Sequence, residues 1–135
     1  MVMTLQEVYN ALDTFIHVSW DTTDIQDDNY EFDTETTTPY IQPLFVPDVV
    51  AEGEIAGSNG AGVSIRYGTY MINVYRPKNE GLATIMGYLS TLEELFYYKD
   101  INCVNTERPY SRRIGIEGNF VRWVVIIPWF AFVNE

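Results

Sequence analysis

Between Val63 and Tyr75 the chain alternates residue by residue. Val63, Ile65, Tyr67, Thr69, Met71, Asn73 and Tyr75 fall on one side, and Arg66, Tyr70, Ile72 and Val74 on the other. Such alternation marks a β-strand, and this one starts half-buried and becomes apolar on both faces towards its end. A strand buried on both faces needs neighbours beside it in a sheet and cover on each side. Pro77 ends it, because proline has no N–H for the ladder. Phe120 to Phe132 reads as a second long strand of the same kind, apolar on both faces in its middle.

The remaining segments fit around these two. Thr4 followed by Glu7 is a capping-box pattern, and Leu5, Val8, Leu12, Phe15 and Ile16 then fall on one helical face, which predicts a helix from about Leu5 to His17. Thr37 to Val46 is extended chain, and Pro39 and Pro43 place it at a sheet edge. Gly53, Gly57, Gly60 and Gly62 separate the apolar segments Leu44 to Val50 and Val63 to Tyr75, predicting a long glycine-rich hairpin with a mobile tip. Asn79 is a candidate cap for a second helix, whose apolar face is Leu82, Ile85, Leu89, Leu92 and Phe96 and which runs to about Lys99. Ile101 to Val104 reads as a short strand that includes Cys103, and Asn105 to Gly118 as polar loop. The fold class expected is α+β: a mixed, mainly antiparallel sheet packed with two main helices.

At 135 residues the chain fits a single domain, 1–135, and 47% hydrophobic residues suffice for a core despite a net charge of -11. The distribution of that charge is informative. Met1 to Gly60 holds twelve acids and no Lys or Arg, so all eight bases lie beyond it. Nucleic-acid binding depends on Lys and Arg displacing counterions from phosphates, so sequence-specific DNA binding is not expected. The longest run without charged or strongly polar residues, Trp123 to Val133, contains Pro128 and is far short of the roughly 20 residues that cross a bilayer. The first residues lack a basic region followed by an apolar stretch, so a cytoplasmic origin is expected.

Catalytic and metal-binding patterns are sparse. Asp21, Asp24, Asp27, Asp28, Glu31 and Asp33 crowd together, but without the alternating acids and sixth-position glycine of a calcium loop they read as a solvated acidic surface. Gly57, Gly60 and Gly62 lack the Lys and the following helix of a phosphate loop. His17, the sole histidine, suits the end of the first helix, and Cys103 is a lone thiol without metal-ligand spacing. No nucleophile elbow is present, so the expectation is a non-enzyme without catalytic, metal or cofactor-binding residues. Three tryptophans and ten tyrosines in so small a chain favour core packing and protein contacts.

The chain runs, in order, through an opening helix, Val18-Ser19-Trp20 leading to Tyr30-Glu31-Phe32, and the turn Thr38-Pro39-Tyr40-Ile41. A glycine-punctuated hairpin follows, then Gly68-Thr69-Tyr70-Met71-Ile72-Asn73-Val74-Tyr75-Arg76-Pro77 running through Gly81 into a second helix, and a terminal apolar strand. This ordered pattern resembles the tail terminator proteins of long-tailed bacteriophages. The resemblance implies a virion protein of the tail or neck, made in the bacterial cytoplasm. It would form a six-membered ring on the head-proximal end of the tail tube, stop tube polymerisation, and offer a surface to the head connector. DNA would pass through the lumen without specific binding.

A closed ring of head-to-tail contacts needs two different complementary patches on each subunit. Arg108, Arg112 and Arg113, in the expected loop around Pro109, Tyr110 and Ser111, are assigned to meet Asp21, Asp24, Asp27 and Asp28 of the adjacent subunit, with Tyr110 adding apolar contact. Gly53, Gly57, Ser58, Asn59, Gly60 and Gly62 are assigned to the tube or connector contact. Two alternatives stay open: another neck or tail component, such as a head-completion or tail-tube protein, and a small-ligand-binding or hydrolytic α/β domain with Gly53 to Gly62 as its lid.

Overall fold

The computed structural model describes residues 3–26, 38–51, 63–78 and 81–134. Helix α1 spans Leu5–Ser19, β1 Asp24–Ile25, β2 Tyr40–Ala51, β3 Val63–Pro77 and α2 Ala83–Phe96; β4 spans Asp100–Ile101, β5 Val104–Thr106, β6 Tyr110–Glu117 and β7 Phe120–Asn134. The seven strands form one sheet in the order β1-β2-β3-β7-β5-β4, with β6 also paired to β7. Every pairing is antiparallel except β1 with β2. The α+β class and the mainly antiparallel sheet with two helices are therefore as the sequence predicts. The expected glycine-rich tip, the candidate cap Asn79, and Asp27, Asp28 and Tyr30-Glu31-Phe32 lie outside the described residues.

The sheet centre is the β3–β7 pair, which runs in register from Val63 opposite Asn134 to Pro77 opposite Phe120. Its helix-facing side carries Ile72, Val74, Val125, Ile127, Trp129 and Ala131, all buried against α1 and α2 in the main core. Gly68 lies opposite Trp129, and a Cβ there would collide with the indole ring and sit 2.8 Å from the Val46 carbonyl oxygen. Close approach of the indole, which stacks on Phe45 at 5.5 Å, is what requires glycine in the strand.

Both helices follow from their apolar spacing. In α1 the Glu7 N–H donates to Thr4 Oγ1 at 3.2 Å while the Thr4 N–H donates to Glu7 Oε1 at 3.0 Å, a complete capping box. Val8, Ala11, Leu12 and Ile16 are buried, Phe15 meets Phe96 edge-on at 5.1 Å, and Leu5 stays partly exposed on the first turn. The helix ends two residues later than expected, when the Trp20 N–H closes on the Ile16 carbonyl. Helix α2 starts at Ala83 and buries Ile85, Leu89, Leu92 and Phe96. It stops at Phe96 rather than near Lys99, because Tyr98 takes a positive φ of 46°. The buried Thr106 then fastens the turn: its hydroxyl donates to the Phe96 carbonyl at 2.6 Å and accepts from the Lys99 N–H at 2.8 Å.

Two expectations for the last third are corrected. Ile101 to Val104 is not one strand: Asn102 and Cys103 form a turn with φ of 51° and 74°, and the Cys103 N–H donates to Asp100 Oδ1 at 2.8 Å. Residues 105–118 are not a polar loop. They supply β5 and the eight-residue β6, which turns at Gly118 and Asn119 to pair with β7. Gly118 has φ 58° at the first turn position, where a II′ hairpin demands a positive angle. β6 escapes a hydrophobicity reading because its side chains are largely exposed on both faces, leaving no apolar alternation.

Candidate subunit and tube contact surface

The predicted contact residues divide between opposite edges of the sheet. Asp21 follows α1 and Asp24 opens β1, and both are exposed. Their segment is anchored by Trp20, which is buried in the core, meets Tyr88 edge-on at 5.9 Å, and donates from Nε1 to Thr23 Oγ1 at 2.9 Å. The Thr23 hydroxyl donates onward to the Asp24 carbonyl, and β1 lies along the outer side of β2 with Asp24 opposite Tyr40.

Arg112 and Arg113 stand on β6 beyond β7, so β2, β3 and β7 intervene between them and β1. At about 4.8 Å per strand this is a separation on the order of 19 Å. Asp21 and Asp24 of one subunit are thus held apart from its own Arg112 and Arg113 by the sheet itself. Among the described residues none of Arg108, Arg112 and Arg113 has an ion-pair partner.

The three arginines do not form the single loop patch that the sequence suggests. Successive strand residues point to opposite faces. Tyr110 and Arg112 lie opposite Ile126 and Val124 on the face away from the helices, whereas Ser111 and Arg113 lie opposite Val125 and Trp123 on the helix side. Ser111 confirms the geometry by donating its hydroxyl hydrogen to Glu93 of α2. Arg108 sits apart again, in the link between β5 and β6, where it borders a shallow cleft with Lys99, Asn105 and Phe130.

The face away from the helices carries an arrangement the sequence reading missed. Tyr40 and Tyr75 stack at 4.6 Å, and Phe120 meets both rings edge-on. Beside them Arg122 donates from Nε and Nη2 to the buried Asn73 Oδ1 at 3.1 and 2.9 Å, and from Nη1 to Glu117 Oε1 at 2.8 Å. Its guanidinium lies 5.9 Å from the Tyr75 ring centre. Burial pushes the pKa of Tyr40 well above the ordinary tyrosine value, with Tyr75 and Glu117 adding in the same direction. Tyr75 is likewise raised, first by burial, with Arg122 acting against it. The signal available in the sequence was period-two alignment: Tyr75 faces Arg122, and Tyr40 faces Tyr75, once β2, β3 and β7 are laid side by side.

A cleft of about 500 Å³ lies between α1 and the Asn102 turn, with Met3, Ala11, Phe15, Val18 and Ile101 as its apolar lining. Glu7, its one carboxylate, is engaged in the capping box. His17 holds its own helix, with Nδ1 2.8 Å from the Asp13 carbonyl. Neither His17 nor Cys103 lines this cleft. Among the described residues no group of three or more His, Cys, Asp or Glu could hold a metal ion, and no helix is long and apolar enough to cross a membrane.

No family model matches the chain, and no curated protein matches it in sequence. Fourteen solved chains match in structure. One of them, whose name says nothing of what it does, superposes with a TM-score of 0.58 at 15% identity, covering 98% of this chain and 97% of its own. At that identity the likeness shows the fold alone, and it extends over nearly the full length of both chains.

Proposed function

We propose that this protein is a structural virion component that caps the head-proximal end of a phage tail tube as a hexameric ring. In that role it ends tube polymerisation and presents the joining surface for the head connector. The observation that carries the reading is the placement of exposed acids at the β1 edge and of Arg112 and Arg113 at the β6 side of the same sheet. Patches of opposite sign on opposite edges can mate between neighbours but not within one subunit, which is what head-to-tail ring closure needs. The ordered resemblance to tail terminators supplies the ring size, the tail tube and neck partners, and the virion location. An acid-rich chain also suits a ring traversed by DNA, because an acidic wall does not retain phosphates.

The test is to add the purified protein to tube subunits that are polymerising and to image the products by electron microscopy. The expected result is a six-membered ring at one end of each tube and an arrest of elongation. Tubes that elongate unchanged would overturn the reading. Polymerisation of this chain into tubes of its own would favour a tail-tube protein instead. Replacing Arg112 and Arg113 together by Glu should leave the fold intact and abolish capping.

A further inference from the structure

We infer that the outer edge of β6 pairs, strand to strand, with the β1 edge of a second copy of this chain, so that the sheet continues from subunit to subunit. This deepens the ring reading by naming how its seam is made, and rests on that reading for the number of copies. β6 is hydrogen-bonded to β7 on one side, and among the described residues no strand lies on its other side. Along it Tyr110, Ile114 and Ile116 are 50%, 46% and 60% exposed. An edge strand with unpaired N–H and C=O groups and bare branched apolar side chains is a template for pairing, and proteins that stay single blunt such edges.

On the opposite side of the sheet β2 carries Pro43, Pro47 and a register shift between Pro47 and Val49, three devices that spoil strand addition, so the edge open to a second copy there is the short one that β1 forms over its first residues. β6 contains no proline and shares only the last of these devices, a register shift between Arg113 and Gly115 that leaves Ile114 exposed.

Charge selects the occupant. A second β6 laid against the first would bring four arginines together, and like charges directly opposite are destabilising. Because Arg112 and Arg113 point to opposite faces, a flat acidic patch could neutralise only one of them. An added acidic segment, whose side chains alternate, can place carboxylates on both faces. The first sixty residues of this same chain carry twelve acids and no Lys or Arg, and within them Asp24 is exposed on β1 and Asp21 is exposed three residues before it. A second copy therefore supplies the complementary strand.

The test is hydrogen exchange on the full chain at low micromolar and at millimolar concentration, with mass followed by analytical ultracentrifugation. The expected result is association at the higher concentration, weakened by 1 M salt, with one or two outward-pointing amides within 110–117, the number a two-residue β1 covers, exchanging at least about tenfold more slowly than in the monomer. Association without that protection overturns strand pairing while leaving a ring made by side chains alone. Protection in an oligomer that never reaches six copies or caps tubes keeps strand pairing and defeats the ring. A chain that stays monomeric at millimolar concentration overturns the inference.

Discussion

The two faces of the sheet are built on different principles. Under the helices the contacts are aliphatic and aromatic: Ile72, Val125, Ile127, Leu12, Leu92 and Phe96 are almost wholly buried and held by non-directional apolar burial. On the other face a smaller cluster of Tyr40, Tyr75 and Phe120 is joined to a directional network in which Arg122 satisfies Asn73 and Glu117 together. The first face sets how stable the fold is. The second fixes how strands β2, β3 and β7 align, because its bonds form only when Tyr75, Arg122 and Tyr40 stand in one row.

The largest effect that would break this contrast is a cavity under the helices. Ile72→Ala should cost about 2 to 5 kcal/mol in urea unfolding, since both the transfer energy and the void count against it. A loss under 1 kcal/mol would mean that the helix side is loosely packed. Next comes Arg122→Ala, which strands the buried Asn73 amide oxygen and should cost about 1 to 3 kcal/mol. Arg122→Lys should recover only part of this, because an ammonium cannot reproduce the fork that reaches Asn73 and Glu117 at once.

Smaller still is an alkaline effect confined to the aromatic cluster. Tyr40 and Tyr75 keep their protons in the fold to higher pH than in the unfolded chain, where tyrosine titrates at about 10. Their contribution is therefore whole below pH 10 and is lost as pH rises beyond it, when the unfolded state ionises first. Tyr40→Phe should flatten that decline in thermal unfolding scans between about pH 9.5 and 11. An unchanged slope would place the loss elsewhere. The smallest expected change is Arg113→Glu, within about 0.5 kcal/mol of the parent, because the side chain is exposed and has no ion-pair partner among the described residues. A large destabilisation would show that β6 contributes to the fold through its charges.

Much of the helix-side face was legible in the sequence. α1 declares itself through Thr4, Glu7 and the spacing of Val8, Leu12 and Ile16, and β3 through alternation, because local rule and tertiary burial agree there. β6 was not legible from hydrophobicity, since a strand exposed on both faces has no apolar period; the two-residue Gly118-Asn119 turn was the signal that could have found it. The Asn102-Cys103 turn was hidden for another reason: its positive φ angles fall on residues other than glycine. For the candidate contact surface, the residue types and the charge asymmetry were readable. That Arg112 and Arg113 face opposite ways was not, because facing exists only once the segment is known to be a strand.

β7 has a further consequence in the order of synthesis. It is central in space, bonded to β3 on one side and to β5 and β6 on the other, yet it follows all of them in the chain. The β6–β7 hairpin closes over two residues, whereas Asn73 and Arg122 meet across 49 positions, so the local pairing is entropically cheap and the central one is not. Until β7 leaves the ribosome, β3 has one bare side, β5 has only the two-residue β4 to pair with, and β6 lacks the one strand it pairs with among the described residues. A chain cut before Phe120 therefore loses the middle of its sheet, and with it the connection between the acidic edge and the arginine strand.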